Sequence, residues 1–198
     1  NYQLTVSGGN QEIFYMFSGN YLDEQGIVLN SGYKRYGLRT NINSKINDKF
    51  RLGIKLYISK SEQNPGSSFL SALWANPIYP VKDESGSYTI YTDPYSQVDN
   101  PVATNLFYLR DNNRSSILSN IFGEYEFVEG LVLKSNYGAN IFDVKNNSFA
   151  PRTILQGIQS NSVANINNQY SFYWNSTNTL TYNKTINYSF PIFYFLKS

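Results

Sequence analysis

Two alternating runs constrain this chain more than any other feature. Residues 35–60 read RYGLRTNINSKINDKFRLGIKLYISK. Tyr36, Leu38, Thr40 and Ile42 take every second place in the first run, and Leu52, Ile54, Leu56 and Ile58 do so in the second. Between them stand Arg35, Gly37, Arg39, Asn41 and Asn43, then Arg51, Gly53, Lys55, Tyr57 and Ser59. Strand side chains point to opposite faces with a period of two, so the stretch is a hairpin that turns at Asn47, Asp48, Lys49 and Phe50. One of its faces is apolar and the other is charged and polar. A protein core and a lipid bilayer would both accept the apolar face.

Composition removes several function classes. Aromatics are 17% of residues, with 18 Tyr against 2 Trp, and charged residues are 15%. Soluble domains carry about 25% charged residues. Tyr with Asn, Ser, Thr and Gly suits strands and polar loops better than helices. The chain has no Cys, which excludes disulfides and thiolate metal sites, and no His, which removes the usual general base and the commonest neutral metal ligand. No cofactor is expected. A net charge of +2 spread along the chain leaves no footprint for nucleic acid. No run approaches the roughly 20 apolar residues of a membrane helix. A membrane barrel stays open, because its strands are visible only as alternation.

Strands recur along the chain with connections of two unlike lengths. Tyr2, Leu4 and Val6 share a face, and after Gly8, Gly9 and Asn10 a second run places Tyr15, Phe17, Gly19 and Tyr21 together. A long irregular stretch, 61–113, follows the quoted hairpin. Alternation returns with Ile117, Ile121, Tyr125 and Phe127, reverses at Glu129 and Gly130, and continues through Leu131, Leu133, Tyr137, Ala139 and Ile141. A second long loop, 143–168, precedes Tyr170, Phe172, Trp174, Leu180 and Tyr182. Outer-membrane barrels have short periplasmic turns, long outer loops, strands of about ten residues and aromatic girdles. A soluble sandwich would show the same alternation, but its strands average about five or six residues. The expectation is an all-β, antiparallel up-and-down meander of seven or eight long strands.

The faces divide as a barrel wall requires. Leu52, Ile54, Leu56, Ile58, Ile121, Tyr125, Leu133 and Tyr137 are expected to face lipid. Arg39, Asn41, Lys55, Glu124, Glu126, Lys134 and Asn136 are expected to face a wet lumen.

The opening sixty residues carry an ordered run of motifs: a strand ending in SGG, a turn into YMFSGNYLDEQGIV, then SGYKRYGLRTNINSKIND. This run resembles the early barrel region of SusC-like TonB-dependent transporters of Bacteroidetes outer membranes. ALWANPIYPVKDESGSY, DNPVA and NQYSFYWNSTNTLTYNKT are similar to later parts of the same region. The resemblance implies a 22-stranded barrel in the cell outer membrane and import of glycans or peptides. It also implies a SusD-like lipoprotein lid and a TonB-ExbB-ExbD complex acting through a missing N-terminal part. The whole chain, 1–198, is then a partial barrel domain without its plug, with 61–113 and 143–168 extracellular and 186–198 an atypical end. Two alternatives remain: a soluble carbohydrate-binding sandwich, and an adhesin-like surface protein.

Candidate sites are few. Trp74, Tyr79, Tyr88, Tyr91 and Tyr95 lie in the first long loop, where aromatic faces stack on sugars or pack against a lid. Asp83, Glu84, Asp93 and Asp99 lack the DxDxDG spacing of a calcium loop and read as solvated charges. Glu124 and Glu126 are neighbours on one wall rather than a glycosidase pair, and no enzyme activity is expected. GSSFLSALWAN, capped by Ser67 or Ser68, is the one plausible helical turn.

Overall fold

The computed structural model describes residues 1–66, 69–91 and 98–184. Seven strands form one antiparallel sheet in chain order: β1 (Tyr2–Gly9), β2 (Ile13–Gln25), β3 (Gly32–Lys45), β4 (Phe50–Asn64), β5 (Leu109–Val128), β6 (Leu131–Ala150) and β7 (Val163–Tyr182). The eighth strand considered from sequence falls in the atypical end, outside the described residues. A sandwich needs a second sheet over the apolar face, and among the described residues all strands belong to the one meander.

Local chemistry sets the turns. At one end of the sheet the connections are tight. Asn10 Oδ1 accepts from the backbone N–H groups of Glu12 and Ile13 at 2.8 and 2.9 Å, and Asn47 Oδ1 accepts from those of Lys49 and Phe50 at 2.9 Å each. Both are Asx turns, in which a short amide side chain closes the loop on its own backbone. The third tight turn uses Gly130 at φ 82°, where a Cβ would meet the Asn183 carbonyl, and the Glu126 carboxylate accepts from its N–H at 2.9 Å. Only glycine reaches that φ without strain.

The strands outrun the alternation. The first long connection is 65–108 rather than 61–113, and the second is 151–162 rather than 143–168. Ser61, Glu62 and Gln63 pair with Arg114, Asn113 and Asn112, so backbone hydrogen bonding continues where both faces have become polar. β5, β6 and β7 are 20 residues each. That length is about 65 Å of strand, against an apolar band about 25 Å tall in an outer membrane. The far halves of these strands are hydrogen-bonded ladder without an apolar face.

Three short helices occupy the long connections: α1 (Phe69–Trp74), α2 (Pro101–Phe107) and α3 (Leu155–Gln159). The expected helical turn corresponds to α1, and its Ser67 or Ser68 cap lies outside the described residues. The buried core lies in these loops and at the adjoining ends of β6 and β7. Ala103, Ala150 and Ile154 are packed with Tyr88, Phe107, Tyr108 and Val163.

Candidate functional site

Register collects the apolar residues on one face. Leu4, Gly19, Leu38, Ile58, Ile117, Ile141 and Phe172 form a single row across all seven strands. Ile54 stands opposite Ile42 and Ile121, and Tyr137 opposite Ile121. Leu52, Leu56, Tyr125 and Leu133 fall on the same face. Nothing in the described chain covers it, and even Leu4 and Trp174 are 74% and 70% exposed. Contiguous apolar surface of this extent marks a surface that meets lipid or protein.

Aromatic clusters bound this face at both ends. Toward the long loops, Tyr21 lies between Tyr2 and Tyr36, with ring centroids 6.5 and 5.1 Å away. Toward the tight turns, Tyr125 lies 6.4 Å from Phe50 and 5.0 Å, edge-on, from Phe127. Just beyond the upper cluster the outward charges are paired: Lys34 with Asp23 at 3.4 Å, Lys60 with Glu62 at 2.7 Å and Lys145 with Asp143 at 3.8 Å. Amphipathic rings followed by charges are what an apolar slab and its wet boundary select.

The opposite face is charged and polar, with Tyr57, Leu118 and Phe122 interspersed. Arg39 lies over the Tyr57 ring at 5.4 Å, and Lys55 stands between Asn41 and Asn120. These residues, with Leu118, Gly138, Asn140 and Asn175, line an open cavity of about 470 Å³. Gly53 is buried on this side because the Phe122 ring covers it, and a Cβ there would overlap that ring. Lower down, Glu124 meets Lys134 at 2.6 Å and lies directly opposite it in the ladder, beside Asn136. Glu126 holds the β5–β6 turn. Both carboxylates therefore have structural partners.

The two long connections are joined around Asn100, which is fully buried. Its Oδ1 accepts from the N–H groups of Val102 and Ala103, capping α2, and its Nδ2 donates to the carbonyls of Val81 and Thr89 at 2.8 and 3.0 Å. Asp99 Oδ2 accepts from the Leu155 N–H at 2.6 Å, tying the second connection to the first. The Asn100-Pro101 pair is a helix start with Pro at the first position, a signal present in the sequence and not used as one. Tyr91 is 4% exposed and lies 5.0 Å from the Tyr79 ring. Burial first, and then the Asp99 carboxylate, push its phenol above the ordinary tyrosine value. Tyr88 packs edge-on to Phe107 at 5.4 Å, under the Lys82 ammonium at 5.0 Å. These loop tyrosines hold the loop together. Trp74 is 71% exposed on α1 and keeps a free face, while Tyr95 and Asp93 lie outside the described residues. Asp83 accepts from the N–H groups of Ser85 and Ser87, and the Ser85 hydroxyl holds its carboxyl below the ordinary carboxylate range.

No protein-family model matches the chain. It is 29% identical to TonB-dependent receptor P3 of Formosa agariphila over 203 residues, which are 93% of this chain and 20% of that protein. TonB-dependent receptor P39 of the same organism is 30% identical over 191 residues, 93% of this chain and 18% of its own length. The chain is homologous to TonB-dependent receptors. It spans about a fifth of the curated receptors it matches. Among solved structures, the RagAB peptide importer in the closed-closed state superposes with a TM-score of 0.72 at 21% identity, covering 93% of this chain and 22% of that one. A second RagAB peptide transporter structure gives a TM-score of 0.58 at 23% identity over 76% of this chain. The meander thus matches the barrel region of that importer in fold.

Proposed function

We propose that this segment forms part of the wall of a TonB-dependent outer-membrane transporter that imports oligomeric cargo, glycans or peptides. A SusD-like lipoprotein would cover its outer end, and the TonB-ExbB-ExbD complex would act through parts of the receptor beyond this segment. The continuous apolar face bounded by aromatic clusters is the observation that carries the proposal. Leu52, Ile54, Leu56, Ile58, Ile121, Tyr125, Leu133 and Tyr137 face the acyl chains. Arg39, Asn41, Lys55, Glu124, Glu126, Lys134 and Asn136 face the lumen. A charge at the lipid-facing midplane costs about 2 to 4 kcal/mol, and the lumen accepts one freely.

The connections at 65–108 and 151–162 lie outside the cell in this reading, and the turns at Asn10, Asp48 and Gly130 lie in the periplasm. Trp74 offers its exposed ring on the outer side to cargo or to the lipoprotein. Spin labels at positions 54 and 55 of the full-length receptor test the faces: oxygen should relax the first and a water-soluble relaxant the second. Equal accessibility at the two positions rejects the assignment. Protease added to intact cells should cut within 65–108 and spare Asp48, and the reverse pattern would invert the topology.

A further inference from the structure

The two faces carry their cations differently. Every arginine of the seven strands, Arg35, Arg39, Arg51, Arg110 and Arg114, lies on the polar face. The apolar face has only lysines in the described sheet, and Lys34, Lys60 and Lys145 are each paired with a carboxylate. On the polar face the pairs are at the turn end, Lys134 with Glu124 and Lys45 with Asp48. Above them, Arg110, Arg114, Arg35, Arg39 and Lys55 have no ion pair among the described residues. Arg110 Nη1 donates to the Gly66 carbonyl at 3.0 Å, and the neighbours of the group are otherwise rings and amides. Arg110 lies over Tyr108 at 4.6 Å, Arg114 over Phe142 at 5.0 Å and Arg39 over Tyr57 at 5.4 Å. Arg35 keeps a buried Nε without a hydrogen-bond partner.

Register sets these cations in a descending series. Arg110 is nearest the long loops, and Arg114 follows four residues on, about 13 Å lower, level with Arg35. Arg39 lies as far again below, and Lys55 is one same-face step, about 7 Å, below Arg39. Glu24 is the one carboxylate on this part of the face among the described residues, at the β2 end above Arg35. The lower end opens into the cavity lined by Arg39, Lys55, Asn41, Asn120, Asn140 and Asn175, which contains no acidic side chain.

We propose that Arg110, Arg114, Arg35, Arg39 and Lys55 form a cationic track that leads the carboxylate or sulfate groups of an anionic oligomeric cargo from the loop end to the mid-wall cavity. This rests on the reading of the polar face as a transporter lumen. Guanidinium groups match planar and tetrahedral oxyanions with paired N–H donors, and carboxamides fill the remaining hydrogen bonds. Rings beneath the cations fix their direction without neutralising them. A one-signed cleft concentrates counter-charged ligand along its length. A series of equivalent sites about 7 to 13 Å apart suits a ligand that moves.

Calorimetric binding to the full-length folded receptor tests this, with hexagalacturonate and hexaglutamate as anionic probes and maltohexaose and a glycine-serine hexapeptide as neutral matches. At least one anionic probe should bind more tightly than its match, and more weakly as salt rises. Removing both cavity charges by Arg39→Gln with Lys55→Gln should weaken it about 100-fold, about tenfold per lost charge-assisted contact. Arg114→Gln, above the apolar band, should weaken it about tenfold. Arg39→Lys with Lys55→Arg keeps both charges and should retain most of the affinity. The proposal is overturned by equal binding of anionic and neutral probes, by anionic affinity unchanged in the charge-removing variants, or by no anionic binding at all. It is also overturned if the double variant only lowers the receptor's unfolding temperature without probe, which would assign the cations to carboxylates of the receptor itself. Label accessibility at positions 54 and 55 judges the transporter-wall reading separately, so the two can fail independently.

Discussion

The sheet and the loop assembly above it solve opposite problems with one chain. In the sheet, backbone pairing runs through all seven strands, yet Ile54, Ile58 and Ile121 keep 36%, 39% and 46% of their surface exposed. Its apolar complement is not among the described residues. In the loops and at the adjoining end of β6, Ala103, Asn100, Ile154 and Ala150 are almost wholly buried, and the two connections pack as a small core. An apolar face needs an apolar phase, and which phase is available differs at the two ends of the same strands. On the proposed wall reading, stability of the sheet depends on lipid, and that of the loop assembly on its own side chains.

Separating the two environments gives the largest expected effect. Without lipid and without the rest of the barrel, the sheet of described residues exposes a broad apolar face and two unpaired edges, β1 and β7. Expressed alone, residues 1–198 should aggregate or enter detergent as a mixed oligomer. A sharp monomer peak in size-exclusion chromatography without detergent, with cooperative melting, would contradict the contrast. Next in size is Ile54→Lys in the full-length receptor, which on the proposed wall reading puts an ammonium on the lipid side and should cost about 2 to 4 kcal/mol. Heat-modifiable migration of the folded barrel should fall. Asn136→Lys on the other face should change stability by less than about 0.5 kcal/mol, and equal losses at both sites would erase the distinction between faces.

The loop assembly should break without the sheet. Asn100→Ala removes two accepted and two donated hydrogen bonds in a buried site. It should cost about 1 to 3 kcal/mol, confined to the loops. Faster proteolysis within 65–108 with unchanged barrel migration is the expected pair of results. Slowed barrel folding would instead show that the loops nucleate the wall. The smallest effect is electrostatic. The Asp83 carboxyl is held below its ordinary value, so whatever it adds to its turn is present above the unfolded carboxylate pKa and is lost as pH falls through the lowered folded value. Amide exchange at Ser85 and Ser87 should quicken only in that acid range, and Asp83→Asn should remove the pH dependence.

Alternation by itself placed Leu38, Ile54, Ile121 and Tyr137 on one face and Arg39, Lys55 and Lys134 on the other, because direction along a strand is a property of neighbouring residues. It also located the tight turns, whose Asn and Gly residues act on their own backbone. Glu124 was legible as a polar-face residue, but its pairing with Lys134 required the register across β5 and β6. Where both faces meet water, as along Arg110 to Asn113, alternation vanishes while the ladder continues, so strand ends escaped sequence reading. The loop core depended on contacts between Asp99 and Leu155, far apart in the chain. Local periodicity determined faces and turns, since a strand's geometry repeats every two residues. Only the tertiary structure decided strand length, charge pairing and the buried role of Asn100, since backbone hydrogen bonds and long-range packing leave no periodic mark on the side chains.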